Sequence, residues 1–81
     1  MKIKILFFAI YKEITGTAKL ELEVPEKTDG LKLQEILEQK FPDLIKLRGV
    51  GKLAVNLDYS PMETVLEDGD EVTFIAPVSG G

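Results

Sequence analysis

Cysteine, histidine and tryptophan are all absent from these 81 residues. Without cysteine there is no disulfide, no thiolate metal site, no thiol nucleophile and no thiol-bound sulfur. Without histidine, the commonest metal ligand and the usual acid–base group at neutral pH are missing too. No apolar run approaches the roughly 20 residues of a membrane-spanning helix. The opening Met1-Lys2-Ile3-Lys4-Ile5-Leu6-Phe7-Phe8 lacks the small-residue cleavage site of a secretory signal. The chain is therefore expected to be cytoplasmic and to bind no membrane. Positive charge is in the minority, with ten Lys and Arg against fourteen Asp and Glu for a net −4. That balance argues against a nucleic-acid binder, which draws most of its affinity from a basic patch. A basic protein partner suits it better.

What is present is enough for one small core. At 44% hydrophobic and 30% charged, the chain reads as a single domain, and a domain of this size buries only about 60% of its unfolded surface. From Lys2 to Ala9 the alternation predicts a strand, with Ile3, Ile5 and Phe7 on one face and Lys2, Lys4, Leu6 and Phe8 on the other. Leu6 and Phe8 then share a solvent-facing side with two lysines. Leaving both wet costs roughly 1.5 to 3 kcal/mol each unless something covers them. Ile10 to Thr15 reads as a helical turn stopped by Gly16. Ala18 to Val24 alternates again, placing Leu20, Leu22 and Val24 inward, as in an antiparallel partner of the first strand.

After Pro25, Thr28 or Asp29 is suited to cap a helix whose stripe is Leu33, Ile36, Leu37 and Phe41, ended by Pro42. Glu35, Glu38, Gln39 and Lys40 are expected to face water. Asp43 to Leu47 reads as another short turn, with Leu44 and Leu47 closing the core. Lys52 to Asn56 is a short strand, Asn56-Leu57-Asp58 a turn, and Tyr59-Ser60 an edge segment. The acids of Leu66-Glu67-Asp68-Gly69-Asp70 lack the twelve-residue calcium-loop pattern, so a solvated turn is favoured. Glu71 to Ala76 is the last strand, with Val72, Phe74 and Ala76 on one face and Thr73 and Ile75 on the other. If this strand lies beside the first, Ile75 joins Leu6 and Phe8 in one apolar patch. The order of elements is that of a two-layer α+β fold whose second sheet face is uncovered.

The stretch Ala76-Pro77-Val78-Ser79-Gly80-Gly81 then stands out. Pro77 cannot donate to a sheet ladder, and Gly80 and Gly81 enter spaces closed to other residues. Extended, the residues from Pro77 on span roughly 17 Å at about 3.4 Å each. That suffices to place a carboxylate inside another protein. The blander reading is an idle terminus, since tails often end in small residues.

Leu6-Phe7-Phe8-Ala9 with Lys12-Glu13 and Gly16, Phe41-Pro42, Ala54-Val55-Asn56, and Leu66 to Val72 leading to Pro77-Val78-Ser79-Gly80-Gly81 resemble the small subunits of molybdopterin synthase. These are ubiquitin-like sulfur carriers, and the likeness covers nearly the whole chain. It implies a β-grasp fold: a mixed sheet of about five strands with one main helix on one face, in a single domain, residues 1–81, with a flexible tail at 77–81. It also implies a cycle. A ubiquitin-activating-like adenylyltransferase uses ATP to activate the Gly81 carboxylate, and a sulfur-donor enzyme converts it to a thiocarboxylate. The large synthase subunit then passes the sulfur to cyclic pyranopterin monophosphate, in a heterotetramer of two small and two large subunits. No cofactor is bound by the chain itself.

The chemistry is consistent with the residues. A carboxylate oxygen can attack the α-phosphorus of ATP, and the acyl-adenylate is open to sulfur. The resemblance makes Gly81 and Gly80 the reacting end, and puts Leu6, Phe8, Lys12, Ile75, Pro77, Val78 and Ser79 in the partner interface. Lys12 stands where the family often has arginine, which replaces a bidentate fork with a point charge. Ala76 replaces one proline of a frequent pair. A thiamine-pathway sulfur carrier and a ubiquitin-like protein modifier, joined to targets through Gly81, are the alternatives.

Overall fold

The computed structural model describes residues 1–76. The expectations for Pro77, Val78, Ser79, Gly80 and Gly81 lie outside that range. Period-two alternation builds the centre of the sheet. β1 (Lys2–Leu6) buries Ile3 and Ile5 and pairs antiparallel with β2 (Lys19–Glu23), setting Ile3 opposite Leu22 and Ile5 opposite Leu20. Between them α1 (Ala9–Thr15) makes a short bridge that stops at Gly16.

α2 (Gly30–Lys40) comes next. Of the two cap candidates Asp29 is the one used: its carboxylate accepts a hydrogen bond from the Lys32 amide at 2.8 Å, satisfying a donor the helix itself cannot. The Thr28 hydroxyl is buried and donates instead to the Pro25 carbonyl, at 2.6 Å. Leu33 and Leu37 pack from α2 onto Ile3, Ile5 and Phe7. Burying each such side chain contributes about 1.5 to 3 kcal/mol. Phe41 ends the helix and sets its ring edge-on to Phe7, centroids 6.0 Å apart, a favoured aromatic geometry. Pro42 then opens a 3₁₀ segment (Pro42–Leu47) that brings Leu44 under the core.

β3 (Lys52–Val55) and β4 (Asp58–Ser60) form a hairpin, and β5 (Glu71–Ile75) closes the sheet. The strand order is β2-β1-β5-β3-β4. β5 runs parallel to β1 and antiparallel to β3. A hairpin, a helix across one face and a final strand laid centrally beside the first is the β-grasp arrangement. The turn before β5 depends on Gly69 at φ +87°, a conformation a side chain would disfavour. Asp70 braces it, accepting from the Glu67 amide at 2.8 Å and from Asn56 Nδ2 at 2.9 Å.

Two expectations need correction. The first strand ends at Leu6 rather than Ala9, because Phe8 caps α1 and Ala9 already has φ +49°. Glu38 does not face water: it is only 8% exposed and is bidentate to Arg48, with Arg48 Nε donating to one carboxylate oxygen at 3.1 Å and Nη2 donating to the other. It sits one residue past the buried Leu37, where the chain returning from the 3₁₀ segment covers it. That carboxylate holds the Arg48 guanidinium above its ordinary pKa by hydrogen bonding and charge.

Candidate functional site

Sheet register defines the face opposite α2. The row through Leu6 runs from Lys19 on β2, across Leu6, to Thr73 on β5, Ala54 on β3 and Tyr59 on β4. None of these belongs to the cluster beneath α2, whereas their strand neighbours Ile5, Val72 and Leu53 do. β1 ends at this row, with the Phe7 amide still donating to the Ala18 carbonyl at 2.9 Å, and the Leu6 carbonyl accepts a hydrogen bond from the Thr73 hydroxyl at 2.8 Å. Phe7 turns into the core while Phe8, still extended at φ −123° and ψ 155°, turns out. Carrying the parallel register on by two residues brings Phe8 level with Ile75.

The result is an apolar patch on an otherwise polar face. Phe8 is 56% exposed and Ile75 36%, and Leu6, in the sheet row before them, is half-buried. Exposed apolar groups that cluster in this way mark contact surfaces, whereas scattered ones do not. Lys12 is exposed one turn along α1, its amide reaching back to the Phe8 carbonyl. Lys52 is exposed in register with Ile75. β5 therefore delivers the chain at Ala76 to the edge of this patch.

Leu6, Phe8, Lys12 and Ile75 are thus brought to one region. Pro77, Val78, Ser79, Gly80 and Gly81 fall outside the described residues. Sequence reasoning missed Tyr59, which is 70% exposed and extends the Leu6 row to the sheet edge. Its strand has three residues, too few for alternation to declare a face. An aromatic residue in an otherwise polar edge segment was the available signal. Among the described residues no helix is long and apolar enough to cross a membrane.

Comparison with known proteins bears directly on this geometry. The sequence matches the ThiS family over residues 5–81. The chain belongs to that family. It is 40% identical over 82 residues to the molybdopterin synthase sulfur carrier subunit of Mycobacterium tuberculosis, covering 100% of this chain and 99% of that one. Among solved structures it resembles a chain of the protein–protein complex of subunits 1 and 2 of molybdopterin-converting factor from Helicobacter pylori. There the TM-score is 0.70 and the identity 27%, covering all of both chains. It also resembles small archaeal modifier protein 1 of Methanosarcina acetivorans, with TM-score 0.80 and 26% identity over 99% of this chain and 96% of that one. As a ThiS-family chain with a mixed five-stranded sheet, it is a ubiquitin-like β-grasp protein.

Proposed function

We propose that the chain is the sulfur-carrier subunit of a molybdopterin synthase, working in the cytoplasm with a large catalytic subunit. The observation that carries this reading is the placement of β5. It runs beside β1 and brings the chain to the rim of the patch formed by Leu6, Phe8 and Ile75, so that docking the patch also delivers the residues beyond Ala76. The sulfur carrier named in Mycobacterium tuberculosis and the two-subunit complex of Helicobacter pylori support the same assignment.

The reaction sequence in this reading starts at Gly81. Its carboxylate oxygen attacks the α-phosphorus of ATP on an adenylyltransferase, releasing pyrophosphate and forming an acyl-adenylate. Hydrosulfide supplied by a donor enzyme attacks the acyl carbon and displaces AMP, leaving a thiocarboxylate. In the large subunit that sulfur passes to cyclic pyranopterin monophosphate while water replaces it on the acyl carbon, and the carrier returns with a carboxylate. Pro77, Val78 and Ser79 serve as the thread through the partner's entrance, with Gly80 keeping it narrow. Acid–base groups and phosphate clamps belong to the partners, in keeping with a chain that has no histidine or cysteine. The test is deletion of Gly81. Sulfur transfer should disappear while folding and association with the large subunit persist, and product formation by the truncated chain would refute the proposal.

A second reading, attachment to protein lysines through Gly81, is favoured by the likeness to the archaeal modifier. Intact-mass analysis separates the two. Incubation with ATP, the activating enzyme and sulfide exchanges one oxygen for sulfur in a carrier, whereas a modifier accumulates as lysine adducts.

A further inference from the structure

The net charge of −4 does not describe the face that carries the patch. Its charges change along the rows of the sheet toward Ala76. In the first, Lys2 lies opposite Glu23; in the second, Lys4 lies between Glu21 and Glu71. Two lysines face three glutamates there, so those rows are slightly acidic. In the third, Lys19 stands beside Leu6 with no acid in the row, and in the next Lys52 stands beside Ile75. Lys12, one turn beyond Phe8, flanks the same patch; its acidic neighbour Glu13 is turned about 100° away around the helix. Lys12, Lys19 and Lys52 are all exposed. Among the described residues the ion pairs are Lys32–Glu35, Lys46–Asp43 and Arg48–Glu38, and none of these three lysines takes part.

We infer that the Leu6–Phe8–Ile75 patch is a positively charged docking face, and that the large subunit meets it with an acidic rim around an apolar recess. The inference rests on the function proposed above and adds the partner's electrostatics. Whole-chain charge pointed to a basic partner; the local arrangement reverses the sign. An acidic protein whose docking face alone is basic gains twice: a complementary surface draws that face inward, and the remaining negative surface turns away from the same field. Orientation of this kind matters for a carrier that must present one edge of its sheet to each partner in turn.

The experiment measures the association rate constant of the full chain with the large subunit from the same organism at increasing sodium chloride. Wild type is expected to associate more slowly as salt rises, because screening shortens the reach of the rim charges. Lys19→Glu with Lys52→Glu should slow association about tenfold at low ionic strength and flatten the salt dependence. The milder Lys19→Gln with Lys52→Gln should fall between. Lys32→Glu with Lys46→Glu makes the same change in net charge on α2 and the 3₁₀ segment, away from this face, and should leave the rate within about twofold of wild type. Thermal melts verify that each variant is folded. If reversal at 19 and 52 does no more than reversal at 32 and 46, the inference fails while the proposed function stands. If the wild-type chain does not bind the large subunit, both fail together.

Discussion

The hydroxyl of Tyr11 lies against Gly51, in the space a β-carbon there would occupy. Tyr11 is buried, and its ring packs beside Phe74 with centroids 6.3 Å apart, so it has little room to swing aside. Gly51→Ala is therefore expected to destabilise the fold by about 1 to 3 kcal/mol through overpacking. In a Tyr11→Phe background the offending oxygen is gone and the nearest ring carbon would be 3.0 Å from the new atom, still tight but relieved. A four-protein urea denaturation cycle checks the coupling. Equal cost in both backgrounds would show that the clash is not with this oxygen.

Tyr11 also gives the protein an alkaline sensitivity. Burial raises its phenol above the ordinary value of 10.0, so the folded state keeps a proton that the unfolded chain gives up sooner. Stability from this source is complete below the ordinary tyrosine pKa and is lost as pH rises from about 10 toward the raised folded value. Tyr11→Phe should flatten the decline between about pH 9 and 11. Parallel stability curves for the two proteins would count against the burial effect.

A gain in stability is expected at Leu57. The β3–β4 hairpin turns through Asn56 and Leu57 with φ of +50° and +74°, the geometry for which Asn-Gly is preferred. Leucine there holds a left-handed conformation that disfavours side chains by about 1 to 2 kcal/mol, and at 88% exposure it packs against little in return. Leu57→Gly should raise the thermal midpoint by an amount equivalent to about 0.5 to 1 kcal/mol, after glycine's own entropic cost. Leu57→Ala removes the same exposed surface but keeps Cβ, and is expected to give no such gain. A similar rise in both would assign the effect to lost hydrophobic exposure rather than to backbone strain.

The Glu38–Arg48 pair ties α2 to the segment entering β3. Arg48→Ala leaves a buried carboxylate without its fork of donors and is expected to lower the thermal midpoint. Replacing both with methionine removes the charge as well as its partner, and should recover part of the loss, since an apolar pair of similar length avoids burying a charge. A double variant no more stable than Arg48→Ala would mean that the ion pair does more than satisfy Glu38.

Much of the architecture was legible because it is periodic. Ile3, Ile5 and Phe7 announce a strand at every second position, and Leu33 and Leu37 a helix at every fourth. The exposed companions Leu6 and Phe8 were visible as exceptions to the same rule, and β5 indeed lies beside β1. What escaped depends on contacts between segments far apart in the chain. Glu38 looked like a surface charge because nothing in its own helix reveals that Arg48 returns to cover it. Lys19 and Lys52 belong to one face only through two strand registers, and Tyr59 joins that face from a strand too short to show a period. Periodicity reveals which way a residue points, whereas the identity of its cross-sheet neighbour requires the strand order.

Phe8 separates folding from docking, because one substitution should weaken docking without weakening the fold. It occupies the N-cap of α1 with extended backbone and no side-chain hydrogen bond, while its carbonyl accepts from the Tyr11 amide at 3.0 Å. Aspartate is among the best residues for that position, so Phe8→Asp is expected to leave stability unchanged or raise it by up to about 1 kcal/mol. On the docking face the same change puts a carboxylate at the centre of an apolar patch, where association would have to desolvate it. Affinity for the large subunit should fall by about thirtyfold or more, the loss typical of truncating a central aromatic anchor. Thermal melts and titration calorimetry on one preparation measure both. Unfolding of the variant would place Phe8 in the core, and undiminished affinity would remove the patch from the interface.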